Sequence, residues 1–248
     1  MRNYLIIDGA DSRDYGVYIS GQGTFAAPAR AYNMLPVPGR DGDLIGPERR
    51  FQNIEVTYPA FVFTNFDANI KNFRNYLLSR DGYVRISDSY HTNEFRMGVY
   101  RGPFVPEVVR ANDAGSFELS FNCKPQRYLA SGEEVITIPI VDQEYTITNP
   151  TMFASRPLIQ MAPRPNSEAI TTGTITIGDS TITLSNIPAD VGLTIDCEMM
   201  DVYGTDGLSY NSHVSLSGYD FPVLKPGANG LTRYFTGVLS IKGRWFVV

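Results

Sequence analysis

Between Gly173 and Leu184 the chain reads Gly-Thr-Ile-Thr-Ile-Gly-Asp-Ser-Thr-Ile-Thr-Leu, two threonine-isoleucine alternations around Gly178-Asp179. A period of two places the isoleucines on one face and the threonines on the other, and a Gly-Asp pair suits a tight turn. The segment predicts a β-hairpin with one buried face. Leu193 to Met199, His213 to Leu216, Val238 to Ile241 and Trp245 to Val248 extend the same texture, with Gly, Pro, Asn and Asp between them. This spacing of short strands and turns predicts a β-sandwich.

The first half is also strand-rich. Tyr4 to Ile7 and Tyr15 to Ile19 flank a polar turn and are expected to pair as a hairpin, and Phe51 to Phe63 reads as a long strand with a bend at Pro59. Phe66, Ile70, Phe73 and Leu77 fall on one helical face, predicting a helix from Phe66 to Ser79 with Asn65 or Asp67 as its N-cap. Tyr83 to Ile86 and Phe95 to Tyr100 predict another hairpin, and Phe117 to Cys123 alternates cleanly. Strand-like texture lapses between Lys124 and Glu134, which places a domain boundary there and gives domains at 1–130 and 131–248. The fold class is mainly β, with one helix.

Between the first strands and the long one lies Tyr32 to Pro47. Met34, Leu35 and Val37 on one side and Leu44 and Ile45 on the other are apolar, and Gly39 to Asp43 between them has turn composition. Pro36 and Pro38 cannot donate ladder hydrogen bonds, so this hairpin belongs at an edge or projects as an arm. Two uses stay open from these residues: the arm lies on a neighbouring subunit, or it covers the core of its own chain.

Chemistry is sparse. His91 sits near Asp88 and Ser89, but in a hydrophilic hairpin connection without the strained turn that positions a serine nucleophile. Asp8, Asp11 and Asp14, and Asp41 with Asp43, lack the full ligand series of a calcium loop. Cys123 and Cys197 each fall in an alternating apolar run and read as buried thiols, a bridge between them being left open. No enzyme, metal or cofactor is expected. A net charge of −5 lacks the basic excess that gripping nucleic acid requires, but suits a lumen through which DNA only passes. Tyr4 to Ile7 is too short for the core of a signal peptide, and no stretch reaches membrane-spanning length, so a soluble protein made in the cytoplasm and without a membrane partner is expected. Sugar binding remains the rival use of the second half, with Tyr203, Tyr210, Tyr219, Tyr234 and Trp245 as candidate stacking surfaces; Tyr210 and Tyr219, in turns, lead, while Trp245 in a terminal strand reads first as core or strand-surface filling.

Three stretches carry a family resemblance. They are Leu35-Pro-Val-Pro-Gly-Arg-Asp-Gly-Asp-Leu44; the run from Ile70-Lys-Asn-Phe-Arg-Asn-Tyr-Leu-Leu78 through Gly82-Tyr-Val-Arg-Ile-Ser-Asp88 to Phe95-Arg-Met-Gly-Val-Tyr100; and Leu193-Thr-Ile-Asp-Cys197, Asp201-Val-Tyr203 and Phe221-Pro-Val-Leu-Lys-Pro-Gly-Ala-Asn229. In order and spacing the chain resembles the distal tail proteins of long, non-contractile-tailed bacteriophages, most closely those infecting Gram-positive hosts. The resemblance implies an N-terminal domain that assembles as a homo-hexameric ring, with the arm embracing the next subunit, and a galectin-like or carbohydrate-module-like C-terminal sandwich. It implies a place at the virion tail tip, between the tail tube protein and the tail-tip protein, as a docking hub for receptor-binding or baseplate proteins. Under that reading Met34, Leu35, Val37, Leu44 and Ile45 bury against the adjacent subunit, while Arg40, Asp41 and Asp43 fix register through charged contacts.

Overall fold

The computed structural model describes residues 2–21, 25–46, 50–138, 144–164 and 168–248. The chain is mainly β and divides into two compact units, one running to Arg127 and taking in Val248, the other spanning Tyr128–Val247.

The first unit contains β1 (Leu5–Ile7), β2 (Ala10–Asp11), β3 (Val17–Ile19), β4 (Met34–Leu35), β5 (Leu44–Ile45), β6 (Ile54–Val62), α1 (Phe66–Leu78), β7 (Val84–Asp88), β8 (Glu94–Tyr100), β9 (Glu107–Val109) and most of β10 (Ala114–Leu129). Its antiparallel sheet runs β2-β1-β7-β8-β10-β6-β3, with β9 paired to the start of β10. The predicted pairing of the first two strands does not form. β1 pairs with β2 and β7, and β3 pairs with β6, because the long ladders offer each short strand a longer partner than either offers the other. The residue Asn3, before β1, bridges to Ile19 of β3.

The alternation of β6 and β10 sends Val56, Tyr58, Ala60 and Val62 with Phe117, Leu119, Phe121 and Cys123 to one face. There the buried face of α1, Phe66, Ile70, Phe73 and Leu77, covers them, as its spacing predicts. Phe73, Phe104 and Phe117 form the aromatic centre, with ring centroids 4.9 to 6.5 Å apart. Gly98 is required in this layer, since a Cβ there would lie 2.7 Å from both the Cys123 sulfur and Ile86 Cδ1.

The helix starts differently from expectation. Asn65 occupies the cap position with φ +50° and no side-chain capping bond. The carboxylate of Asp113 takes that role, accepting from the amides of Asn65 and Phe66.

The second unit is a sandwich of two five-stranded sheets. One is built from β11 (Val135–Ile138), β13 (Leu158–Met161), β16 (Leu193–Asp196), β17 (Asp201–Gly204) and β20 (Leu239–Lys242), in the order β11-β20-β13-β16-β17. The other combines β12 (Tyr145–Asn149), β14 (Ile170–Ile177), β15 (Ser180–Ile187), β18 (Val214–Leu216) and β19 (Gly227–Tyr234), in the order β12-β19-β14-β15-β18. β21 (Phe246–Val247) is the last strand. The hairpin that the threonine-isoleucine repeat predicts is β14–β15, turning at Gly178-Asp179, with Ile175, Ile177, Ile182 and Leu184 buried.

Candidate assembly surface

The arm is a hairpin with its own ladder. β4 and β5 pair antiparallel, Met34 with Ile45 and Leu35 with Leu44, and form a two-stranded sheet separate from the main one. The pairing continues below them through Gly46 N–H to Asn33 O (2.7 Å), Ala31 N–H to Arg50 O (2.9 Å) and Gln52 N–H to Ala29 O (2.8 Å). The stem thus reaches Ala29 and Gln52, beyond the predicted 32–47; Pro47 itself lies outside the described residues. At the far end, Arg40 N–H bonds to Val37 O (3.2 Å), and Gly39 between them has φ +77°. Proline at the second position and a positive-φ glycine at the third give a type II turn. Gly42 repeats the left-handed backbone on the return side, with φ +81°.

What the arm lacks is cover. Met34, Leu35, Leu44 and Ile45 remain 45 to 60% exposed, Val37 is half-buried, and Arg40, Asp41 and Asp43 point to solvent without an ion pair among the described residues. The two apolar pairs, Met34 with Ile45 and Leu35 with Leu44, lie on opposite faces of the ladder, belong to neither core cluster, and leave both faces of the arm without cover among the described residues.

A second uncovered surface lies on the same unit. Opposite the helix, the sheet's free face carries Glu55, Thr57, Pro59 and Phe61 from β6, paired with Asn122, Ser120, Glu118 and Ser116 of β10; Glu107 of β9 is registered with Ser116. The loop from Gly102 to Glu107 rises beside this face and encloses a groove of about 640 Å³. Its walls include Pro59, Phe61, Pro103 and Val105, and its charged lining is Glu55, Glu107 and Glu118, with no lysine or arginine among the described lining residues. None of the three glutamates is in an ion pair among the described residues. Phe61 stands at the edge of an aromatic patch in which it stacks on Tyr18 and meets Phe63 edge-on.

The other candidate residues do not gather into a site. Tyr210 is buried, its hydroxyl donating to Asp206 Oδ2 (2.9 Å), and Trp245 is buried because Gly132 and Gly243 leave it room: a Cβ on Gly243 would enter the indole. Neither presents a face to a sugar: the sandwich interior holds the Trp245 ring, in keeping with its core reading, and also the Tyr210 ring, which corrects the expectation of a stacking surface there. Tyr219 is fully exposed. Ser89 Oγ accepts from Tyr4 N–H and donates to Asn3, while Asp88 accepts from Tyr58 Oη and the amides of Tyr90 and His91, so the Ser, His and Asp of that loop tie strands together. Asp11 caps a 3₁₀ turn and pairs with Arg13, whose guanidinium holds its carboxyl below the usual range, and Asp8 pairs with Arg80. Cys123 and Cys197 are free and buried, and burial raises their thiols to about 11 and about 12. No described helix is long and apolar enough to cross a membrane.

No protein-family model matches the sequence, and no curated protein is similar to it. Solved structures are similar. The SPP1 Dit (gp 19.1) protein, described as a paradigm of the hub adsorption apparatus in phages that infect Gram-positive hosts, matches with a TM-score of 0.71 at 17% identity, over 97% of each chain. A chain of the phage P2 baseplate in its activated conformation, with Ca and again with Sr, matches with a TM-score of 0.58 at 12% identity, also over 97% of both chains. Across nearly its whole length, this chain has the fold of the SPP1 Dit protein.

Proposed function

We propose that this chain is a phage distal tail protein: six copies close into a ring at the virion tail tip, joining the tail tube protein to the tail-tip protein and offering docking sites to receptor-binding or baseplate proteins. The observation that carries this reading is the match to a phage hub protein over 97% of both chains. The exposed arm supports it, since a ring repeats one heterologous contact around its axis and a projecting apolar hairpin supplies such a contact. The role is structural and not enzymatic, and DNA is only cargo. The net charge of −5 fits a lumen that does not hold the passing phosphates.

Light scattering on the purified chain, and on a version with residues 34–45 replaced by a short Gly-Ser turn, tests the reading. The intact protein is expected at hexamer mass and the replaced one as a folded monomer. Of the second unit's aromatic candidates for glycan binding, Tyr203, Tyr219 and Tyr234 are exposed. Specific, saturable binding of the intact chain on a glycan array would favour that rival.

A further inference from the structure

The geometry points to a binding site for one ordered water in the first unit, held by the buried guanidinium of Arg96 and passed on to the carboxylates that line the same cavity. The site is independent of how copies of the chain assemble.

Arg96 carries the inference. It is registered with Ile86 across the β7–β8 ladder, which sends it to the helix-covered face, and it is 5% exposed. Burial, and next the nearby cation of Arg127, make its charged form less favourable than in water. Its Nη1 is buried and has no hydrogen-bond partner among the described residues, where Arg96 also forms no ion pair. A buried donor on a charged group is costly unless something accepts from it.

Size limits what that partner is. Tyr58, Asp88, His91, Glu94 and Arg127 line a cavity with Arg96, and its volume is about 10 Å³. One water needs about 10 to 15 Å³, so a carboxylate, a phosphate or an organic ligand does not fit.

Charge sets its kind. Arg96 and Arg127 share the lining with Asp88 and Glu94, so with His91 neutral the ionised groups already balance. Chloride would bring a further negative charge up to two carboxylates, and a cation would meet two guanidiniums. The partner is therefore neutral, accepts from Nη1 and donates onward. Water meets all three conditions.

Acceptors are in place. Asp88 Oδ1 takes the amides of Tyr90 and His91, while Oδ2 accepts the Tyr58 hydroxyl at 2.9 Å. Glu94 Oε2 accepts from Arg127 at 3.2 Å. Each carboxylate offers about four lone-pair sites, enough for one more donor. A water between Arg96 and these carboxylates joins Tyr58–Asp88 and Arg127–Glu94 into one network across β6, β7, β8 and β10.

A crystal structure of the full chain, at a resolution that orders water, tests the site. One peak is expected in the cavity, about 2.7 to 3.2 Å from Arg96 Nη1 and as near to an oxygen of Asp88 or Glu94. Arg96→Met removes the donors but keeps an unbranched side chain, and should lose the peak. Crystals soaked in bromide should give no anomalous signal there. An empty cavity, a peak out of reach of Nη1, a bromide signal, or a peak that persists in Arg96→Met overturns the inference. Should the variant fail to fold, the parent crystal and its bromide soak decide alone.

Discussion

Asp113 caps the helix that Phe66 begins: its carboxylate accepts the Phe66 amide at 3.2 Å and the preceding Asn65 amide at 2.8 Å. Two of the amides at the start of the helix thereby gain a partner that also carries the negative charge favoured at a helix N-terminus. Asp113→Ala is expected to destabilise the first unit by about 1 kcal/mol, the usual effect of losing a cap, and Asp113→Asn by less. Asn65→Gly should be near neutral, since Asn65 makes no side-chain capping bond and glycine suits its φ of +50°. Urea titration followed by the helical signal in circular dichroism measures all three.

A second carboxylate organises the sandwich. Asp196 is bound by both terminal nitrogens of Arg244, at 2.7 and 3.0 Å, and accepts the amides of Glu198 and Met199. Burial disfavours its ionised form, but Arg244 and those amides outweigh it and hold the carboxyl below its ordinary value. The folded state therefore binds this proton less readily than the unfolded chain does. Its contribution to stability is complete above the ordinary carboxylate range, near pH 4, and is lost as pH falls through the depressed folded value. Arg244→Met, which strands the carboxylate, is expected to cost about 3 kcal/mol at neutral pH, with a smaller penalty in acid. Melting temperatures of the variant and parent across pH 3 to 7 should converge toward the acid end; parallel curves would remove this assignment.

The two thiols give a cleaner readout. Cys123 is 1% exposed and Cys197 is fully buried, and their raised values, about 11 and about 12, leave almost no thiolate at pH 8. A thiol reagent should label neither in the native protein and both in denaturant. Labelling of one thiol at low denaturant, before the other, would report that the unit carrying it opens first.

Local pattern made much of the fold legible. The threonine-isoleucine hairpin, the buried helix face and the paired apolar runs of the arm are each decided by residues within a few positions of one another. Contacts between distant residues were not. Asp113 lies 48 positions from Asn65, and no propensity links a turn acid to a helix so far upstream. Likewise β1 and β3 read as partners because they are neighbours in sequence, yet the sheet inserts four strands between them. Trp245, in a terminal strand, read as core or strand-surface filling, whereas Tyr210 beside Asn211 in a turn carried no mark of burial. The cause lies in Gly243, whose missing side chain makes room for the indole, in Gly132, which lets the Arg244–Trp245 backbone approach, and in Asp206, which satisfies the phenol. The acidic groove was also hidden, because its glutamates come from three strands whose register the sequence does not reveal.

The arm's apolar residues separate folding from assembly. Leu35 and Ile45 are 46% and 60% exposed and belong to neither core, so Leu35→Ser and Ile45→Ser remove little that the isolated chain has buried. Surface changes of this kind typically alter stability by no more than about 0.5 kcal/mol. In the proposed ring the same side chains would lose their remaining exposure against a neighbour, and a fully buried leucine or isoleucine contributes about 1.5 to 3 kcal/mol relative to an exposed one. With roughly half of that still to be gained, each substitution is expected to weaken association by about three- to tenfold while leaving the melting temperature of the dilute protein in place. Sedimentation over a concentration series and a melting scan at low concentration read the two quantities separately. A fall in melting temperature with unchanged association would mean that the arm covers its own chain.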